Sequence, residues 1–364
     1  MALDTAPGPA WLDAVRRIWD DGDAVAPLDP LDPPARRSLV LAELAPGAID
    51  DGHGSRVVLP TGRPVETGDA LVMATSGTTA NPKGVVLTHE SLDWAARASA
   101  EALGAGADDV WLACLPLHHI GGFSVVTRAW TSGSGLVVHD GFEAAAVEAA
   151  ARSGATHTSL VTTALRRIDP SLFTTILLGG SSIPRRRPAN TVATYGMTES
   201  GAGVVYDGVP LPGVEVRIGE DDAILLRSPT LLRCYRDGTI PIDREGWYRT
   251  GDLGALHSGR LVVHGRADDV IVTGGEKVWP ESVEAALREL PGIADLAVVG
   301  RPDPEWGQRV TAVVVPSPGQ DPPELAVLRA TVAASLPRFC APRAMEIAEV
   351  LPRTSLGKLR RREI

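Results

Sequence analysis

Short apolar runs separated by polar and glycine-rich turns dominate most of the chain. One run at 70–74 leads into a loop of small residues, and a second run at 85–87 leads into a helical stretch that ends near Gly104. Further apolar runs alternate with helical segments such as 142–152. These runs lie at 110–117, 136–139, 157–161 and 175–178. The alternation predicts a layered α/β domain.

The pattern changes twice toward the C-terminus. Between residues 204 and 264 the runs become hairpin-like, with turns expected at 219–222 and 258–259, so a β-rich subdomain should close the large domain. Helices are then predicted at 280–290 and 322–336, and strands at 294–299, 309–315 and 344–348. We therefore predict a large N-terminal domain at 1–267 and a small α+β C-terminal domain at 268–364.

Composition and charge narrow the class of protein. A chain of 364 residues with 44% hydrophobic and 22% charged residues is typical of a folded, two-domain enzyme. The net charge of -10 argues against a general nucleic-acid binder, because such affinity rests on Lys and Arg. Three separated cysteines, Cys114, Cys234 and Cys340, argue against a disulfide framework and favour the cytoplasm. We expect neither export nor membrane insertion.

The loop at 75–84 combines hydroxyl groups, glycines and a lysine directly after a buried strand. Small residues let backbone N–H groups approach anionic oxygens, hydroxyls donate further hydrogen bonds, and the lysine adds a positive charge. The spacing differs from the G-x-x-x-x-G-K-[ST] loop of P-loop NTPases, and the alternative is a polar hairpin turn. We predict a polyphosphate site. Its residues are Thr75, Ser76, Gly77, Thr78, Thr79 and Lys83.

In full, this loop reads Thr-Ser-Gly-Thr-Thr-Ala-Asn-Pro-Lys-Gly and resembles the signature loop of the adenylate-forming superfamily. That superfamily includes acyl-CoA synthetases, luciferases and peptide-synthetase adenylation domains. Its other motifs follow here in order as far as residue 358. The resemblance implies an ATP-dependent ligase that forms an acyl-adenylate and passes the acyl group to coenzyme A, with Mg²⁺ as cofactor.

The resemblance assigns the adenine, α-phosphate and metal contacts to two motifs. In Tyr195-Gly196-Met197-Thr198-Glu199, the Tyr195 ring would stack on the purine, Thr198 would bind the α-phosphate and Glu199 would ligate Mg²⁺. The alternative for Glu199 is an ordinary surface position. The turn along the adenine corresponds to Gly179, Gly180 and Ser181.

Three later segments would bind the ribose, form the hinge and line the pantetheine tunnel. Asp252 matches the residue that accepts hydrogen bonds from the ribose hydroxyls, with Arg266 beside it. Asp268 matches the inter-domain hinge, although an ordinary Asp-rich turn is the alternative. Gly274 and Gly275 match the loop beside pantetheine, since glycines admit close backbone approach.

The C-terminal string Pro-Arg-Thr-Ser-Leu-Gly-Lys resembles the loop whose lysine, here Lys358, enters the site for adenylation. The alternative is a solvated tail lysine. The resemblance implies a mobile small domain that rotates about Asp268 and replaces the Lys358 loop with the Gly274-Gly275 loop between the two half-reactions. We predict Lys358, Thr198, Glu199 and His119 as the catalytic side chains.

The string Leu-Pro-Leu-His-His-Ile-Gly-Gly at 115–122 resembles the segment bordering the acyl pocket. His119 and Gly121 would line that pocket, whereas His118 is expected to pack. With the short chain, this string is most similar to the o-succinylbenzoate:CoA ligases of menaquinone biosynthesis. That acid has two carboxylates, and Arg128 is our candidate for the one that does not react, with a helix-surface arginine as the alternative.

The chain departs from the family pattern in one segment, and several alternative functions remain. The stretch at 183–193 is shorter than is usual, which puts the wall of the acyl pocket in doubt. Another aryl- or acyl-CoA synthetase, an adenylation enzyme that loads a carrier protein, or a non-catalytic AMP-binding protein would share parts of the pattern. We expect small-molecule partners, a possible homodimer and no nucleic acid.

Overall fold

The computed structural model of the chain describes residues 1–75, 82–180, 183, 186–353 and 359–364. The chain forms two compact units. The first unit comprises Met1–Val216 and Leu226–Tyr248, and the second comprises Arg217–Leu225 and Arg249–Ile364. The predicted domains, 1–267 and 268–364, meet at Asp268, the predicted hinge of a domain motion. That hinge stays a prediction.

The helix that begins at His89 starts with a capping box. Thr88 caps the helix that follows it, because its hydroxyl accepts from the Ser91 backbone N–H at 3.1 Å while the Ser91 hydroxyl accepts from the Thr88 N–H at 3.0 Å. The helices are α1 Pro9–Asp20, α2 Pro34–Leu44, α3 His89–Leu103, α4 Ile120–Ser132, α5 Ala144–Arg152, α6 Thr162–Leu165, α7 Pro280–Leu287 and α8 Leu325–Ala333.

Strands occur throughout both units. They are β1 Ala2–Leu3, β2 Ala26–Pro27, β3 Ala48–Asp50, β4 Arg56–Val58, β5 Asp69–Thr75, β6 Lys83–Thr88, β7 Val110–Ala113, β8 Gly135–Val138, β9 His157–Leu160, β10 Thr175–Leu178, β11 Thr191–Met197, β12 Ala202–Tyr206, β13 Val209–Pro210, β14 Glu215–Ile218, β15 Ala223–Arg227, β16 Cys234–Tyr235, β17 Tyr248–His257, β18 Arg260–Arg266, β19 Ile271–Thr273, β20 Glu276–Val278, β21 Ile293–Asp303, β22 Gly307–Pro316 and β23 Ala344–Ile347.

The largest sheet of the first unit has the order β13-β12-β11-β10-β9-β7-β8. Its strands from β11 to β8 pair in parallel, and β12 and β13 add antiparallel pairs at one edge. Buried apolar side chains of its strands, such as Leu112, Leu160 and Ile176, pack against α5 and α6. Two smaller sheets, β16-β6-β5 and β2-β1-β3-β4, complete the unit.

The second unit has a sheet of order β20-β19-β22-β21, in which β23 also pairs with β22. Helices α7 and α8 cover it through Val283, Leu287, Leu328 and Val332, all fully buried. The sheet β14-β15-β17-β18 has most of its residues in this unit, and its hairpins turn at the predicted positions. The observed mixture of layers confirms the predicted α/β fold class.

Two predicted helices are longer than the structure allows. Helix α7 ends at Leu287 and not at 290, and helix α8 spans only Leu325–Ala333 of the predicted 322–336. Each prediction ran up to a proline, at 291 and 337, and the residue before a proline is driven out of the helical conformation. Pro323 delays the start of α8, because it drives Pro322 before it out of the helical conformation.

Candidate active site

Strands β5 and β6 of the first unit bring the two ends of the predicted phosphate loop together. Thr75 ends β5 and pairs with Lys83, which starts β6, and the Thr75 hydroxyl donates to the Lys83 carbonyl at 3.3 Å. Because the pair joins neighbouring strands, Thr75 and Lys83 are fixed at the same end of the sheet. The predicted loop residues Ser76, Gly77, Thr78 and Thr79 lie outside the described residues.

Lys83 and Glu199 both contact the side chain of Tyr235. The Lys83 ammonium lies 5.2 Å from the centre of the Tyr235 ring, a cation–π distance. The Tyr235 hydroxyl donates to Glu199 Oε1 at 3.2 Å and lies 3.4 Å from the Tyr248 hydroxyl. We call Lys83, Glu199, Tyr235 and Tyr248 the tyrosine cluster. It places the predicted phosphate lysine and the predicted metal carboxylate on one tyrosine.

The turn at Thr198–Ser200 presents Glu199, and the buried Ser200 holds the turn in place. The Ser200 hydroxyl accepts from the Met197 N–H at 2.9 Å and lies 2.8 Å from the Ala202 carbonyl. A side chain at Gly196 would overlap that same Ala202 carbonyl, so the close approach of β11 and β12 requires glycine there. The backbone that presents Thr198 and Glu199 is thus held by hydrogen bonds of Ser200 and by close strand packing at Gly196.

The predicted adenine contacts lie at the carboxyl ends of neighbouring parallel strands. Gly179 and Gly180 follow β10, and Tyr195 lies in β11, whose Ala193 pairs with Leu178 of β10. Ligands of open α/β sheets bind in crevices at such strand ends. Ser181, predicted with the two glycines, lies outside the described residues.

The two histidines predicted near the acyl pocket lie just before α4. Their rings contact each other with centroids 4.5 Å apart, and His118 Nε2 is 3.4 Å from an Asp29 carboxylate oxygen. Burial, assisted by His118, lowers the pKa of His119 to about 4, so its imidazole is neutral near pH 7. Gly121 follows in the first turn of α4. A neutral imidazole suits a pocket wall better than an anion-binding role.

Arg128 is buried inside α4 and is only 2% exposed, so it is not the helix-surface arginine of the alternative. Its guanidinium lies 4.6 Å from the centre of the Trp111 ring and interacts electrostatically with Tyr206. Within the described part of the chain, Nε and Nη1 have no acceptor. Burial lowers the pKa of Arg128, against the effect of Tyr206. A buried cation with unused donors is suited to pairing with an anionic group, so the predicted role of Arg128 stays a prediction that this geometry favours.

Asp252 and Arg266 form an ion pair in the second unit. They are paired residues of β17 and β18, and Arg266 Nη1 lies 3.2 Å from Asp252 Oδ1. The Thr250 hydroxyl accepts from the Asp252 N–H at 3.0 Å and fixes that backbone. Burial opposes the Arg266 charge, but Asp252, Asp269 and Asp268 outweigh it and raise the pKa of Arg266. The two predicted ribose residues are therefore adjacent.

The predicted hinge and tunnel residues also lie in the second unit. Asp268 pairs with Arg362, whose Nη2 is 3.1 Å from Oδ2. Gly274 and Gly275 have φ of +60° and +86° and form the two-residue turn between β19 and β20. An added Cβ at Gly274 would lie 2.7 Å from Trp306, so this turn packs directly on that ring. Lys358 lies outside the described residues.

Sequence reasoning missed the residues that connect the predicted ones. Tyr235 and Tyr248 belong to the tyrosine cluster, and Trp111 supports Arg128. Tyr235 and Trp111 each lie in a short strand, which is as typical of a core position, and Tyr248 lies in the same motif as Asp252 but had no predicted role of its own. Contacts between distant strands had to be seen in the structure.

The residues present are suited to Mg²⁺ in company with ATP. In the described part of the chain no group of three or more His, Cys, Asp or Glu side chains is placed to hold a metal alone. Mg²⁺ needs no such group, because it is commonly held by one or two carboxylates together with substrate phosphates. Glu199, with one oxygen already hydrogen-bonded by Tyr235, has the chemistry of such a carboxylate, and its role as a ligand stays a prediction.

Among the described helices none has the length and apolar character to span a bilayer.

The fold and these motifs define a class of nucleotide-binding enzyme, and comparison with known families agrees. Residues 26–236 match the AMP-binding enzyme family, and residues 282–358 match the AMP-binding enzyme C-terminal domain. The first match covers more than half of the chain, so this protein belongs to the AMP-binding enzyme family. The predicted membership of the adenylate-forming superfamily is confirmed.

Within that family the chain is similar to ligases of one kind. A protein of Mycobacterium tuberculosis (strain H37Rv), named probable 2-succinylbenzoate–CoA ligase, is 39% identical over 356 residues, covering 90% of this chain and 92% of that protein. The solved o-succinylbenzoate CoA synthetase of Bacillus subtilis, in complex with the acyl-adenylate intermediate, is 26% identical with a TM-score of 0.87, covering 100% of this chain and 87% of that one.

A second structure of the Bacillus subtilis enzyme contains ATP and a magnesium ion. It is 25% identical to this chain with a TM-score of 0.86, covering 100% of this chain and 88% of that one. The similarity extends over both units of the fold. It agrees with the predicted arrangement of a large and a small domain.

Proposed function

We propose that this protein is an AMP-forming acid:CoA ligase whose acid is o-succinylbenzoate, acting in menaquinone biosynthesis. The tyrosine cluster is the observation that carries the proposal. It places Lys83, at the end of the phosphate loop, and Glu199, the candidate Mg²⁺ ligand, on one tyrosine side chain. A nucleoside triphosphate with Mg²⁺ is commonly bound by a cation near the phosphates and a carboxylate on the metal.

In the first half-reaction a carboxylate oxygen of the acid attacks the α-phosphorus of ATP, and pyrophosphate leaves. Both reactants are anionic, so the protein's task is to neutralise charge and to hold the groups in line. We assign the triphosphate to Lys83 and the 75–84 loop, the α-phosphate to Thr198, the ribose to Asp252 and Arg266, and the approach of the acid to Lys358. Mg²⁺, held by Glu199, would screen the phosphate charge.

In the second half-reaction the thiol of coenzyme A attacks the acyl carbonyl of the adenylate. The carbon–sulfur bond forms, AMP leaves with the anhydride oxygen, and the thiol proton passes to solvent. We assign the Gly274-Gly275 turn to the pantetheine arm, since a turn without side chains admits a thin ligand closely. Asp268 is the proposed pivot of the domain rotation.

The choice of acid rests on Arg128 and on the relatives. The acid has two carboxylates, and only one reacts. Arg128 Nε and Nη1 are buried and have no acceptor among the described residues, which suits the carboxylate that remains. The 39% identical relative bears the name of a ligase for this acid. We assign His119 and Gly121 to the wall of the acid pocket.

A thioester assay over a panel of acids tests the proposal. Purified protein is supplied with ATP, Mg²⁺, CoA and one acid, and AMP and acyl-CoA are measured by mass spectrometry. We expect o-succinylbenzoate-CoA with equal amounts of AMP, and little product from analogues lacking either carboxylate. Conversion of no acid would contradict the ligase assignment, and preference for a monocarboxylic acid would contradict the choice of substrate.

The alternative of a carrier-loading adenylation enzyme predicts a different result in the same assay. Adenylate would form, but free CoA would accept no acyl group.

The proposal of a homodimer rests on the resemblance to the family, and that of a cytoplasmic location rests on the three separated cysteines. Sedimentation of the purified protein and fractionation of cells would test them.

A further inference from the structure

Tyr235 lies where three elements of the first unit meet. It belongs to β16 and pairs with Val85 of β6, the strand that begins at Lys83. Its ring faces the Lys83 ammonium, and its hydroxyl donates to Glu199 on the Thr198–Ser200 turn. One side chain therefore contacts both charged groups that the proposed function assigns to ATP and Mg²⁺.

The backbone around Tyr235 is fixed from both sides. The Leu232 N–H donates to the Glu199 carbonyl at 2.8 Å, and the Arg233 N–H donates to the Val86 carbonyl at 2.9 Å. The buried Arg236 guanidinium donates to backbone carbonyls of Leu44 at 2.8 Å and Pro64 at 3.0 Å. Because β16 is held between the Glu199 turn and β6, the Tyr235 ring has little freedom to move away from either charge.

The hydroxyl of Tyr235 has one proton, and the geometry gives that proton to Glu199. Its oxygen can then accept from the Tyr248 hydroxyl 3.4 Å away, so a short chain of donors ends at the carboxylate. A hydrogen bond to Oε1 orients the carboxylate and leaves Oε2 to face a cation. Partners of this kind behind a metal ligand typically change metal affinity by about 10- to 100-fold.

We propose that Tyr235 is a positioning residue, whose hydroxyl orients Glu199 for Mg²⁺ and whose ring holds Lys83 beside the phosphates. The inference rests on the proposed function. It adds two separable roles for one residue. The hydroxyl role depends on Mg²⁺, whereas the ring role acts on the nucleotide with or without the metal.

Two substitutions separate the roles when ATP binding is measured by calorimetry in the absence of acid, so that no turnover occurs. Tyr235→Phe keeps the ring and removes the hydroxyl. We expect it to weaken ATP binding by about 10-fold in Mg²⁺ and to leave binding in EDTA within about twofold of the parent. Tyr235→Leu removes both contacts and should weaken binding in both buffers.

Controls exclude a general loss of structure. Tyr206→Phe removes the same atom elsewhere in the unit, next to Arg128, and should leave the Mg²⁺ dependence of ATP binding unchanged. The double variant Tyr235→Phe with Glu199→Gln should weaken Mg²⁺-dependent binding little more than Glu199→Gln alone, because both act through one carboxylate. Circular dichroism verifies the fold of each variant.

The outcomes distinguish this inference from the proposed function. Equal losses for Tyr235→Phe in Mg²⁺ and in EDTA, or fully additive losses with Glu199→Gln, would overturn the positioning role. If Tyr235→Phe binds ATP as tightly as the parent in Mg²⁺, and the parent makes the thioester, the positioning role is wrong and the ligase assignment stands. A parent protein that binds no ATP would instead reject the proposed function.

Discussion

Arg128 is buried, yet two of its guanidinium nitrogens have no acceptor among the described residues. Such a group destabilises the protein by itself and is compensated when an anion binds. We expect Arg128→Met, which retains much of the volume, to raise the free energy of unfolding by about 1 kcal/mol. The same variant should raise the KM for o-succinylbenzoate at least about 30-fold, because a buried charge pair is lost.

Urea denaturation and steady-state kinetics measure the two effects. Monocarboxylate analogues of the acid provide the control, since the variant should act on them about as poorly as the parent does. A variant that is less stable and has an unchanged KM would show that Arg128 supports the fold and contacts no substrate.

His119 gives a pH dependence of stability with a definite sign. The pKa of His119 falls from 6.5 to about 4 on folding, so the unfolded chain takes up a proton below pH 6.5 while the folded chain does not. This contribution to stability is full above pH 6.5 and is lost as the pH falls toward 4. Between pH 7.5 and pH 5 the free energy of unfolding therefore falls by about 2 kcal/mol because of this group.

The measurement is urea denaturation at both pH values for the parent and for His119→Asn. The variant should lose about 2 kcal/mol less than the parent over this interval. His53→Asn, at an exposed position, is the matched control and should follow the parent. Parallel losses in all three proteins would contradict the burial of a neutral His119.

At the scale of elements, Arg361 forms ion pairs that connect the C-terminal segment with α7 and with the turn before β19. Its guanidinium pairs with Glu284, with Glu281 at 3.1 Å and with Asp269 at 3.4 Å. Burial opposes the charge, but these carboxylates raise the pKa of Arg361. Loss of the arginine would leave Glu284, which is 2% exposed, as an unpaired buried charge.

We therefore expect Arg361→Gln to destabilise the protein by about 3 kcal/mol at pH 8. The loss should be smaller at pH 5.5. Burial raises the pKa of Glu281 and Arg361 opposes that rise, so without the arginine Glu281 takes up a proton more readily in the folded state. Denaturation by urea at both pH values measures the difference.

Arg362→Gln is the matched control for this prediction. Arg362 and Asp268 form an ion pair in which the side chains are 56% and 54% exposed, and such pairs contribute less than about 1 kcal/mol. Similar losses for both arginine variants, or a loss at Arg361 that does not depend on pH, would argue against a buried charge network.

At the scale of the whole molecule, the proposed ligase carries out two half-reactions with one nucleotide site. We expect Lys358→Ala to abolish adenylate formation from ATP and acid while thioester formation from supplied acyl-AMP stays within about threefold of the parent. In the proposed mechanism the lysine acts only before the domain rotation.

The two half-reactions are measured separately, by pyrophosphate exchange and by acyl-CoA formation. Lys277→Ala, which changes an exposed lysine next to the Gly274-Gly275 turn, provides a comparison that should retain adenylation. Equal loss of both half-reactions in Lys358→Ala would contradict the role of the lysine in adenylation alone.

The sequence by itself determined the family, the α/β layers and most strands and turns. The strand at 175–178 and the turns at 219–222 and 258–259 depend on neighbouring residues, so local patterns were enough to predict them. The candidate nucleotide-binding residues could also be predicted, because each belongs to a contiguous sequence motif. Helix ends next to prolines were less accurate, as α8 shows.

Only the tertiary structure decided which distant side chains meet. Tyr235 contacts Glu199 and Lys83 because the pairing of β16 with β6 brings separate segments together. The same holds for Arg128, which a surface helix would expose and which packing instead buries beside Trp111. Sheet register and burial depend on contacts across the whole unit, and no stretch of neighbouring residues contains that information.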